Sequence, residues 1–165
     1  MKTLLILRHA KAEAPDDATA DHDRRLAPRG EQDAPRIGHW LVEQELIPAA
    51  ILASDAARAK ATAQLVAKAC QFPGEVQLFH ELYMATPETY LEVIRAAAAE
   101  ADRVLVVGHN PTLDDLLYLL TGTHEGFPTA GLAVVDLSVT SWADVQLPTQ
   151  YKLAHFVRGK ELSHD

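Results

Sequence analysis

The features that most constrain the fold are two apolar runs that each end in a histidine. The first run, residues 4–7, leads directly into Arg8 and His9, and the second, residues 104–107 after Arg103, leads through Gly108 to His109. A strand without a polar face suits a parallel sheet that is covered on both sides. In open α/β folds, ligand-binding groups lie just beyond the carboxyl ends of such strands. Both histidines are therefore predicted to lie at one edge of a central sheet.

The rest of the chain alternates between strand-like and helix-like patterns, which predicts an α/β sandwich with a largely parallel sheet. We expect core strands at residues 3–8, 49–53, 75–79 and 103–107, and edge strands or a hairpin at 132–137, 142–147 and 153–157. Helices are expected at 28–45, at 86–100 and after Asn110-Pro111. A further helix is expected to end near residue 69, with Ser54 and Asp55 as its N-terminal capping residues. Residues 12–27 are polar and acidic and indicate a surface loop. No repeat or linker interrupts the pattern, so one domain is expected.

Composition limits the classes of partner. The chain has 165 residues, 48% of them hydrophobic, and a net charge of −8. This acidity, without a basic stripe, argues against binding of nucleic acid, and a phosphate site would need a local positive pocket. No apolar run approaches the length that spans a membrane and no targeting segment is convincing, so a cytoplasmic protein is expected. Cys70, the single cysteine, lies among apolar residues and is expected to be buried and inert.

A third segment adds a positive charge to the same sheet edge. Arg58 falls on the first turn of the helix that follows the second strand, where free backbone N–H groups and the helix dipole favour an anion. Together with Arg8, His9 and His109, it forms a set of two arginines and two histidines around one point. Guanidinium groups match the oxygens of phosphate. The sequence therefore predicts a pocket for a tetrahedral dianion.

Several motifs carry a family resemblance, and they occur in register along nearly the whole chain. They are Leu7-Arg8-His9-Ala10, Asp23-Arg24-x-Leu26-x-x-x-Gly30, Ser54-x-x-x-Arg58-Ala59-x-x-Thr62-Ala63, Glu81-Leu82, Val107-Gly108-His109-Asn110-Pro111 and Pro128-Thr129-Ala130-Gly131. The set resembles the histidine phosphatase superfamily, and within it the small SixA-type phosphohistidine phosphatases. The resemblance implies a phosphoglycerate mutase-like fold, a three-layer sandwich with helices on both faces of the sheet.

The resemblance also implies roles for individual residues. His9 would be the nucleophile that forms a phosphohistidine intermediate, Arg8 and Arg58 would hold the phosphoryl oxygens, and His109 would stabilise the same group, preferably as a cation. Glu81 corresponds in position to the general acid of related phosphomonoesterases, although a solvated loop glutamate explains it equally well. A phosphorylated protein, such as a phosphotransfer domain, or a small phosphorylated molecule is the implied substrate.

Two departures from the family pattern bear on the substrate. Ala10 replaces the more usual glycine, which narrows the approach to the phosphate but is expected to leave the backbone N–H available. Only four residues separate Glu81 from the expected helix cap Thr86, in a region where larger relatives carry a lid. An open pocket suits a phosphate presented on a protein or a bulky molecule better than a small sugar phosphate. A phosphomonoesterase for small metabolites, and a non-catalytic phosphate- or phosphoprotein-binding module, are the alternatives.

A metal centre is not expected from the sequence. The run Asp21-His22-Asp23 has metal-binding residue types, but no helix or strand spacing fixes its geometry, and His80 has no recognisable partner in the sequence. No familiar zinc-binding pattern is present. The prediction is a phosphatase that uses neither a metal nor an organic cofactor.

Overall fold

The computed structural model describes residues 1–162. Its strands are β1 (Lys2–Arg8), β2 (Ala50–Ser54), β3 (Gln77–Phe79), β4 (Arg103–Gly108), β5 (Gly131–Leu137) and β6 (Lys152–Arg158). Its α-helices are α1 (Pro28–Glu43), α2 (Ala57–Ala69), α3 (Pro87–Ala97) and α4 (Thr112–Thr121), and short 3-10 helices cover Asp21–Asp23, His80–Leu82, Trp142–Asp144 and Gly159–Glu161. None of the helices within residues 1–162 has both the length and the apolar character needed to cross a bilayer.

The strands form one sheet in the order β3-β2-β4-β1-β5-β6. The first four strands of that order are parallel to their neighbours, whereas β5 is antiparallel to β1 and β6 is antiparallel to β5. The predicted α/β architecture, a mostly parallel sheet between helices, is therefore confirmed. Because β1, β2 and β4 run in the same direction, their carboxyl ends meet at one edge.

The apolar run of β1 is explained by burial on both faces of the sheet. Leu4 and Ile6 pack into one hydrophobic cluster together with residues of α3 and α4. Leu5 and Leu7 point the other way, into a second cluster that is formed with α1 and α2. Side chains alternate between the two faces of a strand, so a strand covered on both sides needs an apolar residue at every position.

The predicted strand at 142–147 is wrong. Trp142–Asp144 forms a 3-10 helix, and the buried Trp142 donates its indole N–H to the carbonyl of Ala101 at 2.7 Å. Val145 is also buried. These apolar side chains close the core beside α3 instead of pairing with a strand.

The predicted capping of α2 by Ser54 and Asp55 is also wrong. Ser54 is the last residue of β2, and the helix begins at Ala57 after Ala56, without a side-chain cap. Both side chains are engaged elsewhere, as described below. By contrast, the predicted start of α3 is confirmed, because the Thr86 hydroxyl accepts a hydrogen bond from the Thr89 amide and Pro87 opens the helix.

Candidate active site

The predicted phosphate-binding residues converge at the carboxyl edge of the sheet. Arg8 ends β1 and His9 follows it, His109 follows β4, and Arg58 lies in the first turn of α2. They border a cavity of about 400 Å³. The residues that line it are Arg8, His9, Lys11, Ala12, Asp21, Arg24, Arg58, Tyr83, Met84, His109, Asn110 and Thr129. Four of these are basic arginine or lysine side chains, which gives the acidic protein a local positive pocket.

His9 is held in one orientation with a defined tautomer. Its Nδ1 lies 2.8 Å from the carbonyl oxygen of Ala10. A carbonyl can only accept, so the neutral ring carries its hydrogen on Nδ1 and keeps a lone pair on Nε2. The side chain is buried, and burial, assisted by the charges of Arg58 and Arg8, lowers the pKa of His9 to about 4. At neutral pH the ring is therefore uncharged and can act as a nucleophile through Nε2.

His109 faces His9 across the pocket, with 5.3 Å between the ring centroids. Its Nε2 lies 2.8 Å from the hydroxyl oxygen of Ser54, a residue of the family motif for which the sequence predicts only a helix cap. Burial, together with the charges of His9 and Arg58, lowers the pKa of His109 to about 3. Burial therefore favours a neutral His109 ring, and the expectation that His109 is a cation when a phosphoryl group is bound stays a prediction.

The two arginines are fixed by contacts with backbone carbonyl oxygens. A terminal nitrogen of Arg8 donates to the carbonyl of Phe127 at 2.9 Å, and its second terminal nitrogen makes no hydrogen bond within residues 1–162. A terminal nitrogen of Arg58 donates to the carbonyl of Asp21 at 2.8 Å, and the other donates to the carboxylate of Asp21 at 3.1 Å. These hydrogen bonds orient both guanidinium groups at the pocket.

The loop before α1 supplies pocket residues that the sequence did not mark as functional. The carboxylate of Asp21 accepts hydrogen bonds from Tyr83 at 2.5 Å, from Arg24 at 3.0 Å and from Arg58. The hydrogen bond from Tyr83 does most to hold the pKa of Asp21 well below its usual range, and the hydrogen bonds from Arg24 and Arg58 add to this effect. The loop is thus attached to the pocket wall by a carboxylate that stays ionised.

Gly108 allows close contact between the end of β4 and α3. A Cβ at this position would lie 2.2 Å from the hydroxyl oxygen of Tyr90. That hydroxyl donates to the carbonyl of Leu82 at 2.9 Å and accepts from the backbone amide of His109 at 3.2 Å. The glycine therefore makes room for a buried tyrosine that positions the backbone of His109.

Comparison with known proteins identifies the family. Residues 4–83 match the model of the histidine phosphatase superfamily, branch 1. The structure superposes on that of a protein assigned as the phosphohistidine phosphatase SixA of Agrobacterium tumefaciens with a TM-score of 0.80 and 33% identity, covering 94% of this chain and 97% of that one. The chain belongs to the histidine phosphatase superfamily. Within it, the structure is of the SixA type.

Two further relatives extend the comparison. An uncharacterised protein of Mycobacterium tuberculosis is 38% identical over 85% of this chain and 92% of its own length. The structure of a protein histidine phosphatase SixA complexed with tungstate has a TM-score of 0.80 with 23% identity, covering 96% of this chain and 97% of that one, which shows a shared fold. Membership of this superfamily supports phosphatase activity for the chain.

In this histidine phosphatase, the backbone amide of Ala10 is already used. It donates to the Thr62 hydroxyl at 2.9 Å, and that hydroxyl donates to the carbonyl of Arg58 at 2.7 Å. The expectation that this amide is available to a ligand is therefore wrong. Its role is to connect the loop after β1 with α2, which fixes the distance between His9 and Arg58.

The position of Glu81 differs from that of the other predicted site residues. Glu81 lies on the 3-10 helix His80–Leu82 and is exposed, whereas Tyr83 and Met84 provide the pocket wall in this segment. The role of Glu81 as a general acid stays a prediction.

A larger cavity, of about 500 Å³, lies between α1 and α2, and none of its lining residues belongs to the predicted phosphate-binding set.

Proposed function

We propose that this chain is a phosphatase that removes phosphoryl groups from phosphohistidine on a protein, with phospho-His9 as the intermediate. The observation that carries the proposal is the hydrogen bond between His9 Nδ1 and the Ala10 carbonyl. It leaves Nε2 with a lone pair in a pocket where a lowered pKa keeps the ring neutral. A module that only bound phosphate would need positive charge there and no fixed neutral imidazole.

In the proposed first step, Nε2 of His9 attacks phosphorus while the bond from phosphorus to the leaving nitrogen breaks. The substrate imidazole, protonated on its other ring nitrogen, departs as a neutral ring, and phospho-His9 keeps its hydrogen on Nδ1. Arg8 and Arg58 neutralise the phosphoryl oxygens, and catalysis consists mainly of positioning and charge stabilisation. In the second step, water attacks the phosphorus of phospho-His9 and releases inorganic phosphate, which returns His9 to its neutral form.

The contact of His109 with Ser54 suggests how a neutral His109 takes part. If the Ser54 hydroxyl donates to Nε2, the hydrogen of the neutral ring lies on Nδ1, and the ring can donate it to a phosphoryl oxygen. The arriving dianion raises the pKa of His109, since a nearby negative charge favours the protonated ring. His109 therefore gains a proton only when a phosphoryl group needs it.

The wall of the pocket favours a phosphate that is presented on a large molecule. Between β3 and α3 the chain makes only the short 3-10 helix and a few loop residues. Met84, at the rim, is 87% exposed. This connection is too short to form a lid over the entrance, which favours a histidine presented on a protein surface. The chemistry of this proposal uses no metal, because the two arginines and His109 supply the positive charge.

The test is to trap the intermediate and to identify its donor. The wild-type protein, His9→Ala and the control His39→Ala, which changes an exposed histidine on α1, are mixed briefly with radiolabelled phosphoramidate and quenched in alkali, where phosphohistidine survives. We expect label on the wild type and on the control and none on His9→Ala, and faster hydrolysis of a phosphorylated phosphotransfer domain than of small phosphomonoesters. Near-normal turnover by His9→Ala would overturn the mechanism, and a preference for a small phosphomonoester would overturn the substrate assignment.

A further inference from the structure

A second cluster of chemically reactive side chains lies beside the phosphate pocket and plays no part in the proposed reaction. It consists of His22, Asp55 and His80. His22 Nε2 lies 2.8 Å from Asp55 Oδ1, and His80 Nδ1 lies 3.1 Å from each Asp55 oxygen. The ligand atoms of all three residues lie within 4.8 Å of one another, and they form the one such group of three among residues 1–162.

Three separate segments bring this cluster together. His22 is on the 3-10 helix of the loop before α1, Asp55 follows β2, and His80 follows β3. β2 and β3 are adjacent parallel strands, so Asp55 and His80 leave the same sheet edge. The loop then carries His22 onto them. The fold therefore brings the three side chains together, and no spacing in the sequence predicts this cluster.

The ligand types are those of a transition-metal site. Two imidazoles and one carboxylate form a common three-ligand set for Zn²⁺ that leaves a fourth position for water. With metal–ligand distances of about 2.0–2.2 Å, ligand atoms in a tetrahedral site are about 3.3–3.5 Å apart. The observed distances to Asp55 of 2.8 and 3.1 Å are slightly shorter, as hydrogen bonds require. The ligand nitrogens of His22 and His80 lie within 4.8 Å of each other, so a rearrangement of up to about 1.5 Å by these partly exposed side chains would admit an ion.

The cluster is also accessible. The side chains of His22 and Asp55 are 32% and 30% exposed, and that of His80 is 73% exposed. We propose that His22, Asp55 and His80 bind one Zn²⁺ or a similar divalent transition-metal ion, with water completing the coordination. Two neutral imidazoles and one carboxylate give the occupied site a net charge of +1.

The position of the site gives the ion a structural role. His22 follows Asp21, whose carboxylate contacts Arg58 and Tyr83, and the His22 ring packs edge-on against Tyr83 at 4.8 Å. An ion at this site fastens the loop before α1 to the two strand ends that border the pocket. It does not replace any group of the proposed phosphoryl-transfer machinery, so removal of the ion loosens the loop without removing a group that takes part in the reaction.

Titration of metal-stripped, tag-free protein tests this site without any use of activity. Zn²⁺ binding is followed by calorimetry, and Co²⁺ binding by the visible absorption that a tetrahedral site gives. The variants are His22→Ala, Asp55→Asn and His80→Gln, with His39→Ala as a control for a surface histidine and His9→Ala as a control for the phosphate pocket. Thermal melts without metal check that each variant is folded, and the strongly exposed His80 provides the substitution least able to disturb folding.

We expect one equivalent of Zn²⁺ to bind the wild type and both controls, and to raise the melting temperature by mass action. Each cluster variant should bind at least tenfold more weakly and lose the tetrahedral Co²⁺ spectrum. Absence of saturable binding by the wild type would overturn the proposal, as would undiminished binding by His80→Gln or His22→Ala. Loss of binding in His9→Ala alone would place the ion in the phosphate pocket and would equally overturn it.

Discussion

Burial of a neutral His9 has a cost that a stability measurement can detect. The folded-state pKa is about 4, whereas an unfolded histidine titrates near its ordinary value of about 6.5. As the pH falls below about 6.5, His9 is protonated in the unfolded chain but stays neutral in the folded protein. The free energy of unfolding therefore decreases until the pH reaches the folded-state pKa. From these two pKa values, the free energy of unfolding is lower by about 2.5 kcal/mol at about pH 4.5 and is almost unaffected at about pH 7.

The substitution His9→Gln removes the titrating imidazole from this position. Urea unfolding of the wild type, of His9→Gln and of the control His39→Gln would be compared at about pH 7 and about pH 4.5. Other groups titrate in all three proteins, so the difference between wild type and variant isolates His9. We expect acidification to destabilise the wild type and the control by about 2.5 kcal/mol more than His9→Gln. Parallel losses in all three proteins would refute the assignment of a buried neutral His9.

Four further results are expected. Arg58→Ala should reduce the rate by about 10²–10³-fold and weaken inhibition by phosphate, and an unchanged rate would contradict its role. Glu81→Gln should slow hydrolysis of alkyl phosphates by about 10²–10⁴-fold but spare phosphohistidine, whose imidazole leaves without strong acid assistance; equal small effects on both substrates would make Glu81 a bystander. EDTA should leave turnover intact, and a complete loss restored by a divalent ion would contradict the metal-free chemistry. Gly108→Ala should destabilise the protein by about 1–3 kcal/mol in urea unfolding because its Cβ meets Tyr90, whereas Gly126→Ala, with nothing within 4 Å, should be near neutral.

Local sequence signals were sufficient for the elements that hold the pocket. The apolar run Leu4–Leu7 predicts a strand covered on both faces, and the structure places one hydrophobic cluster on each side of it. Thr86 and Pro87 predict a helix start, which the Thr86 side-chain hydrogen bond confirms. These signals depend on neighbours in the chain, which is why they can be recognised without the fold.

The region from Trp142 to Leu147 shows where such signals fail. Alternating apolar residues there are typical of an edge strand, but Trp142 and Val145 are buried against the end of the core. The same pattern arises whenever two nearby side chains reach a core from one side. Whether a neighbouring strand is available for pairing depends on the rest of the sheet, which the local pattern does not contain.

The surroundings of the pocket could not be predicted for a related reason. Asp21 contacts Arg58 and Tyr83, which are 37 and 62 positions away, and His22 contacts Asp55 across 33 positions. A polar, acidic loop gives no periodic signal, so nothing in the sequence specifies which of its side chains turn inward. The sequence predicts a helix cap at Asp55, because caps are common at that point, whereas the Asp55 carboxylate instead contacts His22 and His80.

The carboxylate of Asp21 occupies part of the hydrogen-bonding capacity of Arg58, and it therefore competes with any anion that binds there. This competing negative group belongs to the same chain and is always present at high effective concentration. A singly charged anion with few acceptor atoms gains little from this exchange, whereas a phosphoryl group offers several oxygens to both arginines. After hydrolysis, Asp21 can return to Arg58 and assist the departure of inorganic phosphate. In the proposed reaction, the preference of the pocket for phosphoryl groups and the release of inorganic phosphate would therefore depend partly on a residue of the loop before α1.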